Sequence, residues 1–422
     1  MGGIESSVGR PVRGQNFFDR EDEQRLLWQH LRQSHILLLA PRRVGKTSLL
    51  FRLMDDARQH DRRAVYVSVA DARSEDDIVR KLLTALANHP ESDALLKRLG
   101  RGPFKRFFSR LKGRVAAGPL SLELAPAEAP SWASLAEAAT EAIERAGERW
   151  LVLVDELPIF VMTLLRQDQA ESADGPPRRT RDFLNWFRQL RNVGGATTSD
   201  AARDEASLRW ILAGSIGLDS VVARARLGDT INDLRVFPLG AFSPAVADHF
   251  LAALGDSYGL PLDAPTRARL AERAGWLIPF YLQVLFSRLH DLAAEASLRP
   301  SPALVDRVVE ELLTPTYRAY FDYWRQRLTE ELGRPDDQRA LALLAVIAPE
   351  LDGAPREALQ RVAAGFEGLT ASQRDESLRF LLEVLENDGY IVSDSGERAP
   401  QSARFRFRSN LLREYWLRRV IA

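Results

Sequence analysis

The 422-residue sequence has no cysteine, which excludes a disulfide framework and any thiolate-held metal. Its six histidines form neither an HxxxH nor an HExxH pair, so histidine zinc motifs of that kind are excluded too. No apolar run approaches the roughly 18–20 residues that a membrane-spanning helix needs. The amino terminus, MGGIESSVGR, lacks the apolar core of a secretory signal. These absences predict a cytoplasmic protein without a membrane partner. Gly2 and Ser6 satisfy only a loose myristoylation pattern. Charge of one sign is missing as well: Lys+Arg and Asp+Glu are both 58, so nothing in the balance demands a nucleic acid or an anionic membrane. Lysine itself is scarce. It occupies five positions, so arginine supplies 53 of the 58 basic residues. A lysine directly before Thr47 is therefore less casual than it would be in a lysine-rich chain.

What is present is ample apolar material, 45% of residues, enough for two or three domains. A helix rich in leucine (Leu26, Leu27, Leu31) precedes the short apolar run His35 to Leu39. That run leads into Ala-Pro-Arg-Arg-Val-Gly-Lys-Thr and a second helix. Further strands are expected at Ala64 to Val69, Trp150 to Asp155, Arg209 to Gly214 and Arg235 to Leu239. Helices alternate with them, and residues 163–182 read as a polar loop. The alternation predicts an α/β fold with a parallel sheet covered on both faces. From Ser243 the chain reads helical, opening on a capping Ser followed by Pro. From about residue 338, two helices and a strand pair have the order of a winged helix. The expected divisions are 1–242, 243–335 and 336–422.

Three places carry chemistry. In G-x-x-x-x-G-K-[ST], backbone N–H groups wrap phosphates, the lysine reaches the β/γ oxygens and the hydroxyl ligates Mg²⁺. Here Gly45, Lys46 and Thr47 are in place, with Ala40 at the first glycine position and Val44 and Ser48 flanking. Strand before and helix after are the context this phosphate loop requires. Next, an apolar strand ends in Asp155-Glu156. Burying such a strand and ending it in carboxylates is costly unless a cation meets them. Asp155 is read as holding Mg²⁺ with Thr47, and Glu156 as polarising the attacking water. Finally, the fourth strand ends at Gly214-Ser215. Ser215 could orient that water or touch the γ-phosphate, or cap the following helix.

Phe17-Phe-Asp-Arg-Glu21, Ala40 to Thr47, Leu153-Val-Asp-Glu156 and Gly214-Ser215 resemble the AAA+-related archaeal-type ATPases, which belong with the STAND signalling NTPases. FSPAVADHFL, Gly275 to Tyr281, and the carboxyl-terminal Arg406-Phe-Arg-Ser…Leu-Arg-Glu-Tyr-Trp416 are similar to that family's helical lid and winged helix. The resemblance covers nearly the whole chain. It implies an ASCE/AAA+-like P-loop sheet followed by lid and winged helix, with ATP or ADP and Mg²⁺ as ligands. By position it places Phe17 and Arg20 in the box beside the adenine, Arg43 in the family's P-R-R-x-G-K-T, and Pro279 against the base. No second-sensor arginine is evident at the lid position, which points to a regulatory switch acting on an unidentified protein effector. Homo-oligomers are compatible with it. A trans-acting arginine finger could be Arg188, Arg191, Arg224 or Arg226, each also readable as a surface residue. A DNA-associated ATPase accessory is the alternative.

Two segments bear on that alternative. Residues 97–114 hold eight basic and no acidic residues, interleaved with Phe104, Phe107 and Phe108. This is a solvated helix face with inward Phe, a dock for an acidic protein, or a grip on nucleic acid. The helix ESLRFLLEVLENDG carries four acidic residues and one Arg, which would repel DNA in a major groove. The third unit is therefore read first as a nucleotide-sensing or protein-contact module.

Overall fold

A computed structural model of the chain describes residues 3–92, 131–146, 148–172, 175–192, 208–214, 218–394 and 403–421. Gly2, the basic stretch 97–114 and Ser215 lie outside the described residues.

The first part runs α1 (Glu21–Leu31), β1 (His35–Leu39), α2 (Lys46–Asp56), β2 (Arg63–Ser68), α3 (Glu75–Ala87), α4 (Trp132–Ala146) and β3 (Trp150–Asp155). It continues with α5 (Leu157–Glu171), α6 (Arg178–Asn192), β4 (Leu208–Gly214), α7 (Leu218–Arg224) and β5 (Leu234–Pro238). The five strands form one parallel sheet in the order β2-β3-β4-β1-β5. Successive side chains of a strand point to opposite faces. Ile36, Leu38, Leu151, Leu153, Ile211 and Ala213 accordingly enter one core, while Leu37, Val152, Val154, Trp210 and Leu212 enter the other. This double burial is why the strands read as unbroken apolar runs.

The expected loop at 163–182 is instead the end of α5, a turn, and the start of α6. Its polar residues misled the reading because one of them is buried. Asp168 accepts hydrogen bonds from the backbone N–H groups of Arg179 and Thr180, 3.0 Å each, and from the Thr180 hydroxyl at 2.6 Å. A carboxylate on one helix thus fixes the entry of the next.

The helical part comprises α8 (Pro244–Ser257), α9 (Ala264–Ala274), α10 (Pro279–Ala296), α11 (Pro302–Leu312) and α12 (Asp322–Leu332). Ser243 caps α8 by accepting from the Val246 N–H, as expected from its position before Pro244. The last part is α13 (Asp336–Ile347), β6 (Ala354–Pro355), α14 (Arg356–Ala364), α15 (Ala371–Asn387), β7 (Ile391–Ser393), β8 (Arg404–Phe407) and α16 (Asn410–Trp416). Its three short strands pair antiparallel in the order β6-β8-β7. One apolar cluster runs from Leu50 on α2 through Phe250, Val308 and Leu344 to Leu381 and Trp416. The P-loop helix therefore shares a core with the helical part and the last part of the chain.

Candidate active site

Adjacent parallel strands bring their carboxyl ends to one edge of the sheet. That edge gathers the turn after β1 and the acidic end of β3. Gly45 adopts φ +98°, a left-handed conformation that glycine takes without strain, and a Cβ there would point into open space. Lys46 follows at the start of α2 and is buried. Its Nζ lies 3.2 Å from Asp155 Oδ1 and 3.1 Å from Glu156 Oε1. Burial alone would pull the ammonium down, but the two carboxylates outweigh it and hold its pKa above the ordinary lysine value. The Thr47 hydroxyl donates to Asp155 Oδ2 at 2.8 Å, and the Tyr66 hydroxyl donates to the same oxygen at 3.1 Å. Burial first and then Asp155 raise the Tyr66 pKa, so it stays a neutral donor. Glu156 has φ +63° and donates its backbone N–H to Asp155 Oδ1 at 3.0 Å. A non-glycine residue held in the left-handed region at a strand exit marks a position fixed by its surroundings.

Beside these groups opens a cavity of about 360 Å³. Its walls include Phe17, Arg20, Arg43 to Ser48, Glu156 and Pro279, so the expected residues converge apart from Ser215 and Asp155. Asp155 stands behind, on Lys46 and Thr47. Pro279 opens the 18-residue helix α10 at the cavity, with the positive end of the helix toward it. Two expected arginines, Arg20 of the adenine-side box and Arg43 of the phosphate loop, are held by protein groups. Arg20 is buried and donates to Glu23, to the Val44 carbonyl and, at 2.8 Å, to the Gly240 carbonyl. Arg43, at φ +66°, has its guanidinium 3.7 Å from the centre of the Phe280 ring and 4.7 Å from that of Tyr323. It also donates to the Tyr320 carbonyl at 3.3 Å. Ser48 accepts from the Val12 N–H at 3.0 Å.

Sequence reasoning missed several walls. Gln283 and Tyr323 line the cavity from outside any local motif, Tyr66 bonds Asp155 without lining it, and residues 7–12 look like featureless loop. Of the four finger candidates, Arg191 is buried and bound through two nitrogens to Asp233, which removes it from that role. Arg188 donates to the Asp229 carbonyl, and Arg224 pairs with Asp336 at 2.8 Å. Arg226 is exposed just beyond α7.

The residues suit Mg²⁺ and a nucleotide: a buried ammonium, a hydroxyl–carboxylate pair, an open glycine turn and a cavity beside them. Thr47 and Asp155 are the side chains that would hold the ion, leaving other positions to phosphate and water. Residues 29–222 match the family model of an AAA domain. The chain is similar in fold to a Walker-type ATPase of Pyrococcus abyssi, with a TM-score of 0.57 and 18% identity over 96% of this chain and 98% of that one. It also matches Cdc6p from Pyrobaculum aerophilum (TM-score 0.45, 14% identity, 100% and 98% covered). The ORC2 protein of Aeropyrum pernix is a further match (TM-score 0.43, 13%, 97% and 98%). No curated protein matches the sequence. Residues 29–222 thus match an AAA domain, on a parallel sheet whose strand-end site has the parts of a P-loop. ATP hydrolysis is the activity that an AAA domain with such a site supports.

Proposed function

We propose that this ATPase is a switch: nucleotide in the cleft sets how the carboxyl-terminal part sits on the P-loop part, and an effector protein reads the result. In this reading 1–242 is the ATPase unit, 243–335 the lid and 336–422 the winged-helix unit. The observation that carries it is the setting of Arg43. A side chain of the phosphate loop is clasped by Phe280 of the lid and by Tyr323 of α12, which leads into the last unit. Close by, Gly389 packs against Trp276 and Pro41, so the turn before β7 touches the phosphate loop itself. Whatever moves that loop moves all three units.

The roles of the side chains follow from the geometry. Lys46 is held by Asp155 and Glu156, and an incoming phosphate competes for its three N–H donors. Lys46 then binds the phosphate, and Glu156, released, polarises the attacking water. Mg²⁺ held by Thr47 and Asp155 would neutralise phosphate charge when bound. Ser215, at the end of β4, would orient the water. Phe17, Arg20, Val44, Gly45, Ser48 and Pro279 shape the rest of the nucleotide site. Self-association is compatible with the scheme.

Glu156→Gln is expected to keep nucleotide affinity and to slow hydrolysis by about 10²–10⁴-fold. Hydrogen exchange in Tyr320–Tyr323 and α15, compared without nucleotide, with ADP, and with ATP on the Glu156→Gln chain, tests the switch. Identical exchange in all three states would sink it. Tight duplex DNA binding with a steep salt dependence would favour the DNA-associated reading instead.

A further inference from the structure

We infer that Arg10, on the amino-terminal segment, is a nucleotide ligand, the guanidinium that the cleft presents to the phosphates. The inference rests on the ATP reading above and adds a residue that no motif contains.

The lid helices α9 and α10 are the first place to look for such a group, and their four arginines are paired elsewhere. Arg267 pairs with Asp248 at 2.7 Å, Arg269 with Asp306 at 2.7 Å, Arg273 with Glu414 at 3.2 Å and Arg288 with Glu311 at 2.7 Å. None of the four lines the cavity. The cations that do line it are Arg10, Arg20, Arg42, Arg43 and Lys46. Arg20 is tied to Glu23 and two carbonyls, Arg43 is clasped by rings, Arg42 lies over Tyr323, and Lys46 faces Asp155 and Glu156. Arg10 is exposed, and its guanidinium has no hydrogen bond or ion pair among the described residues.

Its backbone, by contrast, is fixed. The Ser7 N–H donates to Gln283 Oε1 on α10 at 2.6 Å, and the Val12 N–H donates to Ser48 on α2 at 3.0 Å. Between these anchors the chain turns. The Arg10 N–H donates to the Ser7 carbonyl at 3.3 Å, Gly9 takes φ +76°, and Pro11 restricts Arg10 to an extended backbone. The segment is a strap from lid to P-loop helix, and Arg10 stands at its bend. The bend is near the phosphate loop: a Cβ on Gly9 would lie 3.8 Å from the Phe280 ring, the ring that also holds Arg43. A planar guanidinium donates two parallel N–H groups to phosphate oxygens, which makes arginine the apt residue here.

Calorimetric titration of the full chain with adenosine, ADP and ATP tests the assignment. Arg10→Ala is expected to weaken ADP and ATP by about tenfold or more while adenosine changes less than about twofold. Arg10→Lys should recover part of the loss. Equal weakening for adenosine and ADP would overturn the inference, because the residue would then only shape the strap. Unchanged ADP affinity would overturn it as well. A wild-type chain that binds no nucleotide would instead refute the P-loop reading on which the inference stands.

Discussion

The ammonium of Lys46 has two jobs, and they separate by experiment. In the proposed ATP site it is the phosphate anchor, and in the structure it is the partner of Asp155 and Glu156. Removing one partner from a buried ion pair leaves uncompensated charge, at a cost of about 3–5 kcal/mol. Glu156 keeps some exposure, 19% of its side chain, so the lower end of that range applies. Lys46→Ala should therefore lose nucleotide binding and also unfold in less denaturant when no nucleotide is present. An unchanged unfolding midpoint would mean that the carboxylates find other partners. His35 gives a second residue-level prediction. Its Nδ1 accepts from the Trp210 N–H at 3.2 Å, leaving Nε2–H to donate to the Arg191 carbonyl at 2.8 Å, so the ring is used neutral on both sides. Burial, with Arg209 and Arg191 nearby, holds its pKa down to about 4, against 6.5 when unfolded. The native state thus binds fewer protons in that window. Stability is fully present above about pH 6.5, falls as pH drops toward 4 and levels off below, a change of roughly 3 kcal/mol. Denaturant titrations at several pH values should show that slope in wild type and a shallower one in His35→Gln. Equal slopes would remove His35 as the cause.

At the scale of elements, the sequence was most informative where a single rule decides the structure. A strand buried on both faces is a short apolar run, and β1, β3 and β4 all read that way. Ser243-Pro244 is a cap with a mechanism, and α8 starts there. The reading failed where polar residues are buried against each other. Asp168 made α5 look like loop. Arg327, paired with the buried Asp388 at 3.3 Å, is a charge set between Trp324 and Leu328 on the buried face of α12. Apolar periodicity cannot register a charge whose partner lies 61 residues away. A helical reading from Ser243 onward does not say which residue of α12 meets the phosphate loop, so Tyr323, one wall of the cleft, was not foreseen. One close approach was equally invisible. A Cβ on Gly214, the last residue of β4, would stand 2.2 Å from Pro158 in the first turn of α5, just beyond Glu156. Gly214→Ala must push that turn away, costing about 1–3 kcal/mol. Turnover should fall with it, while nucleotide affinity, set by Gly45 and Lys46, holds. Normal turnover in a destabilised Gly214→Ala chain would show that Glu156 tolerates the shift.

The whole molecule raises a question that no motif poses: what holds the last unit on the ATPase unit? Part of the answer is α7, which follows the strand that ends at the cleft. Ser220 donates to Glu383 at 2.6 Å and accepts from Asn387 at 3.1 Å, both on α15. Arg224 pairs with Asp336 and lies 4.0 Å from the centre of the Phe380 ring. The acid-rich helix α15 is thus engaged by α7, and its contacts include one of those acids, Glu383. Arg224→Glu places a carboxylate against Asp336 and removes the stack on Phe380. Hydrogen exchange in α15 should then rise severalfold without nucleotide, approaching whatever level ATP produces in wild type. The same substitution also tests the other role considered for this residue. An arginine acting in trans on a neighbour's nucleotide would, when lost, lower turnover in a manner that depends on protein concentration, and α15 would exchange as before. Faster exchange with concentration-independent turnover would make Arg224 an internal latch, and the reverse pattern would make it a finger.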